Sequence, residues 1–523
     1  MQQFIKRYAG VILGVLSGFD RLLFRGSMRN LSYVDGLFKF LNWKKVKLVE
    51  FEKFCGKVTH GVQAAAEKTA KEVGCPFEYV GSSSASKEEL ARWHLGRTGA
   101  RGPLGLVCVL RCVESCWSYE LHRNAESKHL EPRSAQRKCL HYYFYFQHPQ
   151  FGWMHIRIQS WLPLMVRICL NGREWLARQM TDAGIDFVQQ NNCFVQIGDF
   201  DQAQKMANLQ LRTAWVPMLD ELLALVHPPQ ADFYPEGWPY YWTAEQTEWA
   251  TDVLFKTPGD LQQSYPHFLR HMAFDVSTAD VLRFLGRKVN QNGEIPARFA
   301  GEVQSTLKSR PEGTRIKHQL NANWLKMYDK QGILLRVETT INNPHEFKAF
   351  RTAESDPDAE PEWRIMRKGV ADLHRRAEVS QAANNRYLQT LAAVQSPETF
   401  ADTVAPICRR VRWHNRSARA LNPLADDDAL LLESVSRGEF ALNGFRNGDI
   451  RKLLYNETAP SAAEIKKHSA AVTRKLQLLR AHGLIQKVPK TQRYTVTPKG
   501  VTIITSLHVA RRSAAVNHTH LSA

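Results

Sequence analysis

The sequence predicts an α+β protein of several domains: a mixed body followed by a C-terminal domain of three helices and a two-stranded wing. Three observations carry this prediction. The chain has 523 residues, more than one hydrophobic core usually organises. Through the first 415 residues, runs that alternate apolar and polar positions sit among runs with helical spacing. Beyond Asp426 the pattern changes to three helical stretches and two short β-type runs around a basic turn. These changes place an N-terminal α+β domain at 1–225, a central α+β domain at 226–415 and a third domain at 426–512.

Composition narrows the function classes. Hydrophobic residues make up 44% and charged residues 23%, so wholesale disorder and fibrous architectures are excluded. Lys and Arg number 70 against 51 Asp and Glu, and the resulting charge of +19 points to a polyanionic partner held through phosphate contacts. The apolar run from Tyr8 to Phe19 follows Lys6 and Arg7, but it is short and has no small-residue cleavage pattern. It is expected to be folded structure, with no membrane span. Nine cysteines, several inside apolar runs, predict a reducing cytoplasm. Cys108, Cys112 and Cys116 lack the paired C-x2-C spacing of structural zinc sites.

In the N-terminal domain, Ser86 and Glu89 have the spacing of a capping box that starts a helix, and Gly105 to Val113 reads as a buried strand. Tyr142 to Phe146 and Trp153 to Ile158 read as a hairpin joined by 147–152. Alternation puts Tyr142, Phe144, Phe146, Met154, Ile156 and Ile158 on one face. His141, Tyr143, Tyr145, Trp153, His155 and Arg157 fall on the other. That second face either stacks unpaired bases, with His155 and Arg157 near the backbone, or packs beneath a helix. Arg173 to Ala183 reads as a helix leading to a strand at Asp186. Glu245, Glu248 and Asp252 read as one face of a further helix.

The run from Trp324 to Ile341 reads as a second hairpin. A three-residue loop at Lys330-Gln331-Gly332 sets Lys326 opposite Arg336 and Trp324 opposite Glu338. Leu325, Met327, Ile333, Leu335 and Val337 then share an apolar face, and Trp324, Lys326, Tyr328, Arg336, Glu338 and Thr340 share the other. Two cations directly opposed need an anion, supplied by Glu338 or by phosphate. With Arg315 and Lys317 upstream, this region is the expected nucleic-acid surface of the body. Metal-assisted phosphodiester chemistry needs converging carboxylates, and Asp20, Glu114, Asp329 and Glu338 are the candidates, with Mg²⁺ or Mn²⁺ as the cation. Asp20 is unusual as an acid in the apolar run Gly18 to Gly26, and a salt bridge to Arg21 or Arg25 is the alternative reading.

The segment K-M-Y-D-K, followed after seven residues by E-T-T-I-N, resembles the core of plasmid and phage replication-initiation proteins. That resemblance implies origin binding or DNA nicking. His155-Ile156-Arg157 departs from the His-x-His metal pair of rolling-circle nucleases.

In the last domain, Asp428 to Ser436, Arg446 to Tyr455 and Ser469 to Ala481 read as helices. Leu484 to Val488 and Arg493 to Thr497 read as strands, with a final helix from Val501. Val472, Leu476 and Leu479 form the core stripe of the third helix, which leaves Ser469, Thr473, Arg474 and Gln477 on another face. From Lys466 to Arg512 there are eleven Lys or Arg and no Asp or Glu. The run SAAVTRKLQLLRAHGLIQKVPKTQRYTVTPKG resembles MarR-type winged helix-turn-helix domains. By that resemblance Ser469, Thr473, Arg474 and Gln477 face base edges, and Lys490 and Arg493 contact phosphate or the minor groove. Phrases such as FDRLLFRG, NGREWLARQM and MRKGVADLHRR resemble a group of large bacterial proteins bearing that domain.

The expectation is a cytoplasmic bacterial DNA-binding protein with a mobile-element or replication role and duplex DNA as partner. The alternatives are a MarR-like regulator with a sensing or dimerising body, and a protein whose body binds RNA or single-stranded DNA.

Overall fold

A computed structural model describes residues 1–226, 233–235, 237–287, 301–310, 313–352, 360–394, 404–414, 416–423, 425–440, 444–455, 461–489 and 491–507. The chain is mixed α/β and divides into two compact units: 18–248 with 367–374, and 1–17 with 249–366 and 375–523.

The first unit is built on long strands: β1 (Ile12–Met28), β2 (Phe77–Tyr79), β3 (Leu106–Arg123), β4 (Leu130–His148), β5 (Gly152–Gln159) and β6 (Val166–Asn171). A small pair, β7 (Phe187–Gln190) and β8 (Cys193–Ile197), stands apart, and β9 (Tyr240–Phe255) completes the sheet, in the order β9-β1-β6-β5-β4-β3-β2. Strands β4 and β5 pair Tyr142 with Ile158, Phe144 with Ile156 and Phe146 with Met154, so the faces separate as alternation predicts. Both faces are covered. Tyr143, Tyr145 and Trp153 pack with Ala91, Leu90 and Leu95 of helix Lys87–Thr98, whose N-cap Ser86 accepts the Glu89 N–H at 3.2 Å.

The helix expected around Glu245, Glu248 and Asp252 is instead strand β9. The run YYWTAEQTEWATDVLF is rich in aromatic and β-branched residues, which fit a pleated surface better than a helix. That preference outweighs the spacing of three acids.

In the second unit, β10 (Val303–Arg310), β11 (Gly313–Leu320), β12 (Asn323–Lys330) and β13 (Leu334–Ile341) continue from part of β9, in the order β10-β11-β12-β13-β9-β1. Ile316, Leu320, Leu325, Met327, Leu335 and Val337 form one face of the core. They pack with Leu261, Tyr265 and Phe268 of helix Pro258–Arg270 and with Ala383, Tyr387 and Leu388 of helix Leu373–Leu391. The β12–β13 register differs from expectation by two residues: Lys326 lies opposite Glu338, Tyr328 opposite Arg336 and Trp324 opposite Thr340. The connection is Gln331-Gly332-Ile333, with Gln331 at φ +57 and Gly332 at φ +67. A shift of two keeps every side chain on its face, so the hydrophobic pattern does not discriminate between the registers. The shift instead removes the opposition of two cations.

After β14 (Lys348–Arg351) and β15 (Glu362–Ile365), whose connection at 353–359 lies outside the described residues, comes a short hairpin, β16 (Val411–Trp413) with β17 (Arg416–Ala418). Helices Asp426–Val435, Asn447–Tyr455 and Ala462–Ala481 follow, then β18 (Ile485–Lys487) paired with β19 (Tyr494–Val496), and helical residues 498–507. Leu431, Leu432, Ile450, Val472, Leu476, Leu479, Ile503 and Ile504 share one core, and Val404, Ile407 and Leu421 around the β16–β17 hairpin belong to it. The third helix begins seven residues before the expected Ser469. Ser461 and Glu464 cap it reciprocally, the Ser461 hydroxyl accepting the Glu464 N–H at 3.3 Å. Among the described residues no helix is long and apolar enough to cross a membrane.

Candidate nucleic-acid interface

Helix Ala462–Ala481 is held by Val472, Leu476 and Leu479 in the core, and this orientation exposes the opposite side. Lys466, Ala470, Thr473 and Gln477 recur on that side at helical spacing, with Lys467 and Arg474 beside them, and all six are exposed. Arg474 and Gln477 make no hydrogen bond or ion pair among the described residues.

Ser469 faces the neighbouring helix, and Thr473, exposed at the edge of the open side, touches that helix through its hydroxyl. The Ser469 hydroxyl accepts from Arg451 at 2.9 Å, and Asn447 Nδ2 donates to both the Ser469 carbonyl and the Thr473 hydroxyl at 2.9 Å. Ser469 is therefore a helix–helix contact and does not lie on the open face, which corrects its expected role in facing base edges. The cause is angular: Ser469 lies about 100° round the helix from Ala470, on the side of Asn447 and Arg451, with Thr473 between them at the edge of the open side.

Between β18 and β19 the expected basic tip, Lys490, lies outside the described residues. Arg493 does not project freely. Its guanidinium lies 4.2 Å from the centre of the Phe350 ring, and Nη1 donates to the Gly444 carbonyl at 3.3 Å. Burial, and then the like charge of Arg446, lower its pKa. The expected wing contact is thus an internal clamp. The backbone of Phe445 exchanges hydrogen bonds with Tyr494 at 2.9 and 2.8 Å. Gly444, at φ +64, permits that approach, since a Cβ there would stand 2.2 Å from the Tyr494 carbonyl oxygen.

The polar face of β11 and β12 is the second cationic surface. Arg315, Lys317, Trp324, Tyr328 and Lys330 are half-exposed there. Lys317 lies 4.9 Å from the Trp324 ring centre, and Lys330 and Arg315 lie 5.6 and 5.9 Å from that of Tyr328. Burial, followed by the neighbouring charges of Arg315, Lys326 and Lys308, lowers the pKa of Lys317. An uncompensated cationic field with aromatic rings in it suits a phosphate chain carrying unstacked bases.

Two residues expected on this surface are absorbed by the interior. Arg336 is fully buried and grips Asp252 with two hydrogen bonds, Nε at 2.6 Å and Nη2 at 2.9 Å. Lys326 is buried against Glu338 at 2.5 Å. Each is held by a carboxylate of another strand, Asp252 on β9 and Glu338 on β13, and a buried cation requires such a partner.

In the first unit, Arg157 is inside as well, bonded to Glu114 at 3.0 Å, and His155 lies under the same cover, its pKa lowered to about 4 by burial. Neither joins a surface, because helix Lys87–Thr98 covers that face. Glu114 also accepts from Lys87 at 2.9 Å and from the Tyr143 hydroxyl at 2.8 Å. Burial alone would raise its carboxyl, and these partners more than offset it, holding the pKa below the usual range. Glu114 is thus a packing hub.

Of the remaining expected carboxylates, Asp329 at the end of β12 has its pKa raised by burial, opposed by the Gly332 backbone N–H. Neither Glu114 nor Asp329 belongs to a cluster of three or more metal-ligating side chains among the described residues. Glu338 is occupied by Lys326 and the Thr340 hydroxyl. Asp20 is buried on β1 and accepts a hydrogen bond from Asn192, which is itself bonded to Asn171. In the same unit, carboxylate oxygens of Asp20 and Glu248 lie within 4.8 Å of one another. Both residues are buried; burial alone would lower the pKa of Arg21, and nearby negative groups, Glu248 and Asp20 among them, more than offset it. The sequence did not single out Glu248 for this pairing, because a helical reading of its segment directed it elsewhere.

No family model, curated protein or solved structure matches the chain.

Proposed function

We propose that the chain is a bacterial DNA-binding protein in which residues 426–507 form a winged helix-turn-helix that lays helix Ala462–Ala481 in the major groove of duplex DNA. One observation carries this reading: the exposed stripe Lys466, Thr473, Arg474 and Gln477, on a helix whose other side is fixed in a core. A helix reading base edges needs an Arg and an amide side chain free of internal partners, since Arg pairs with guanine and Gln with adenine in two-bond geometry. Arg474 and Gln477 meet that need. The uninterrupted positive charge from Lys466 onward supplies sequence-independent attraction. The cation–aromatic face of β11 and β12 extends the reading to a body that handles strands, as a mobile-element or replication protein does.

A second reading adds metal-assisted cleavage, favoured by the buried Asp20–Glu248 pair. Two carboxylates so close repel one another unless a cation is near. Arg21 provides one cation, and a divalent ion would provide the charge that phosphodiester hydrolysis uses.

Crosslinking, followed by sequencing of the nucleic acid recovered with the protein and its incubation with Mg²⁺ or Mn²⁺, tests both readings. A defined duplex is the expected recovery. New ends lost on Asp20→Ala or Glu248→Gln support cleavage, an intact duplex supports a regulator, and RNA alone overturns the proposal.

A further inference from the structure

The stretch from Arg409 to Arg419 straddles position 415, the expected end of the central domain, and β16 and β17 form an anchored hairpin in it. Its base is fixed from both sides. Ile407 and Leu421 are buried in the C-terminal core, the Leu421 N–H donates to the Ile407 carbonyl at 2.9 Å, and His482 Nε2 lies 2.8 Å from the Arg419 carbonyl. The pairing Val411 with Ala418, Arg412 with Ser417 and Trp413 with Arg416 then sorts the side chains. Val411, Trp413 and Ala418 share one face and are half-buried. Arg410, Arg412, Ser417 and Arg419 share the other and are exposed; Arg416, paired with Trp413, lies on the side of Trp413 but is also exposed, near the tip.

The hairpin as a whole is strongly cationic, with Arg410, Arg412 and Arg419 on the outward face and Arg416 at the tip. The eleven residues from Arg409 to Arg419 include five Arg and no Asp or Glu. Arg419 is paired with Asp428 at 2.6 Å, whereas Arg410, Arg412 and Arg416 have no carboxylate partner among the described residues. Their location relates them to the exposed stripe of helix Ala462–Ala481. Arg480, three residues beyond Gln477 on the same side, lies 5.1 Å from the centre of the Trp413 ring. Trp413 thereby seats the hairpin beside the C-terminal end of that helix. Guanidinium groups present planar donor pairs that match phosphate oxygens, and a rigid ribbon holds them in place before binding.

From this we infer that the β16–β17 hairpin is a second nucleic-acid contact, in which Arg410, Arg412 and Arg416 hold the phosphate backbone of the duplex whose groove receives helix Ala462–Ala481. The inference rests on the proposed DNA-binding function. It adds a partner surface that carries affinity without sequence preference, because phosphate contacts are the same at every base pair.

The test uses the full chain and two duplexes, a selected high-affinity site and a scrambled one, with binding measured by anisotropy across a salt series. Replacing Arg410, Arg412 and Arg416 together by Ala is expected to lower the slope of log affinity against log salt by about 2–3, at about 0.9 per lost phosphate contact. Affinity for both duplexes falls by a similar factor, so their ratio is kept. The Arg→Lys triple variant, which keeps the charges, is expected to retain most of the slope, and this separates loss of charge from loss of fold. An unchanged slope in the Ala variant, with wild type binding duplex, overturns the hairpin assignment alone. Failure of the wild type to bind either duplex overturns the hairpin assignment together with the function it rests on.

Discussion

Arg336 and Asp252 form a wholly buried fork, two hydrogen bonds of 2.6 and 2.9 Å between strands β13 and β9. The pair removes from solvent a cation that the sequence pattern assigns to a surface. Arg336→Ala leaves Asp252 buried without that partner, and chemical denaturation is expected to show a loss of about 3–5 kcal/mol. Replacing both residues by apolar side chains of similar volume is expected to cost far less, because no charge is then stranded. Equal losses in the single and double variants would refute a structural role for the fork.

The exposed part of that sheet makes a different prediction. Trp324→Ala and Lys317→Ala are expected to weaken binding of single-stranded DNA, by about 1–3 kcal/mol for the lost stacking platform. Neither should move the melting temperature as far as Arg336→Ala does. Unchanged single-strand affinity in both variants removes the face from the account.

Acid should destabilise the fold through its buried histidines. Burial lowers the pKa of His141 and His318 to about 4. Their folded values lie below the ordinary value of 6.5, so between these limits the unfolded chain binds protons that the folded chain does not. Stability is therefore full above about pH 6.5 and falls as the pH is lowered towards 4, by on the order of 3 kcal/mol per group at the low end. Urea denaturation at pH 7.0, 5.5 and 4.5 checks this. His318→Gln should flatten the dependence, and an identical pH profile for the variant would contradict the assignment.

Gly444→Ala tests the link between Phe445 and Tyr494. A side chain there meets the Tyr494 carbonyl and needs an unfavourable positive φ, so a loss of about 1–3 kcal/mol is expected. Hydrogen exchange should show the Phe445 and Tyr494 amides losing protection together. Retained protection would mean that the backbone adjusts elsewhere.

How much of this was legible in the sequence follows from the kind of information each feature needs. The faces of β4, β5, β12 and β13 were readable because alternation reports which side chains share a side of the sheet, although both sides of β4 near 141–146 and of β13 are buried, and the helices near 428–436 and 446–455 were readable from periodicity. The β12–β13 register was not, since a slip of two leaves the faces unchanged and only cross-strand charge pairing decides it. Ser461 and Glu464 stood in the sequence as a capping signal, but the run that follows them is weakly apolar. The β16–β17 hairpin was missed because its strands have three residues each and its pattern is dominated by Arg. The Asp20–Glu248 pair depends on contact between strands far apart in sequence, which no local pattern encodes.

The central claim is that helix Ala462–Ala481 reads duplex DNA through Arg474 and Gln477. Anisotropy with the selected and scrambled duplexes at one salt concentration, for wild type and for the Arg474→Ala, Gln477→Ala double variant, tests it most directly. The account predicts that the double variant loses its preference for the selected site by about 1–3 kcal/mol per base contact, while affinity for the scrambled duplex changes much less. An unchanged ratio between the two duplexes would contradict it.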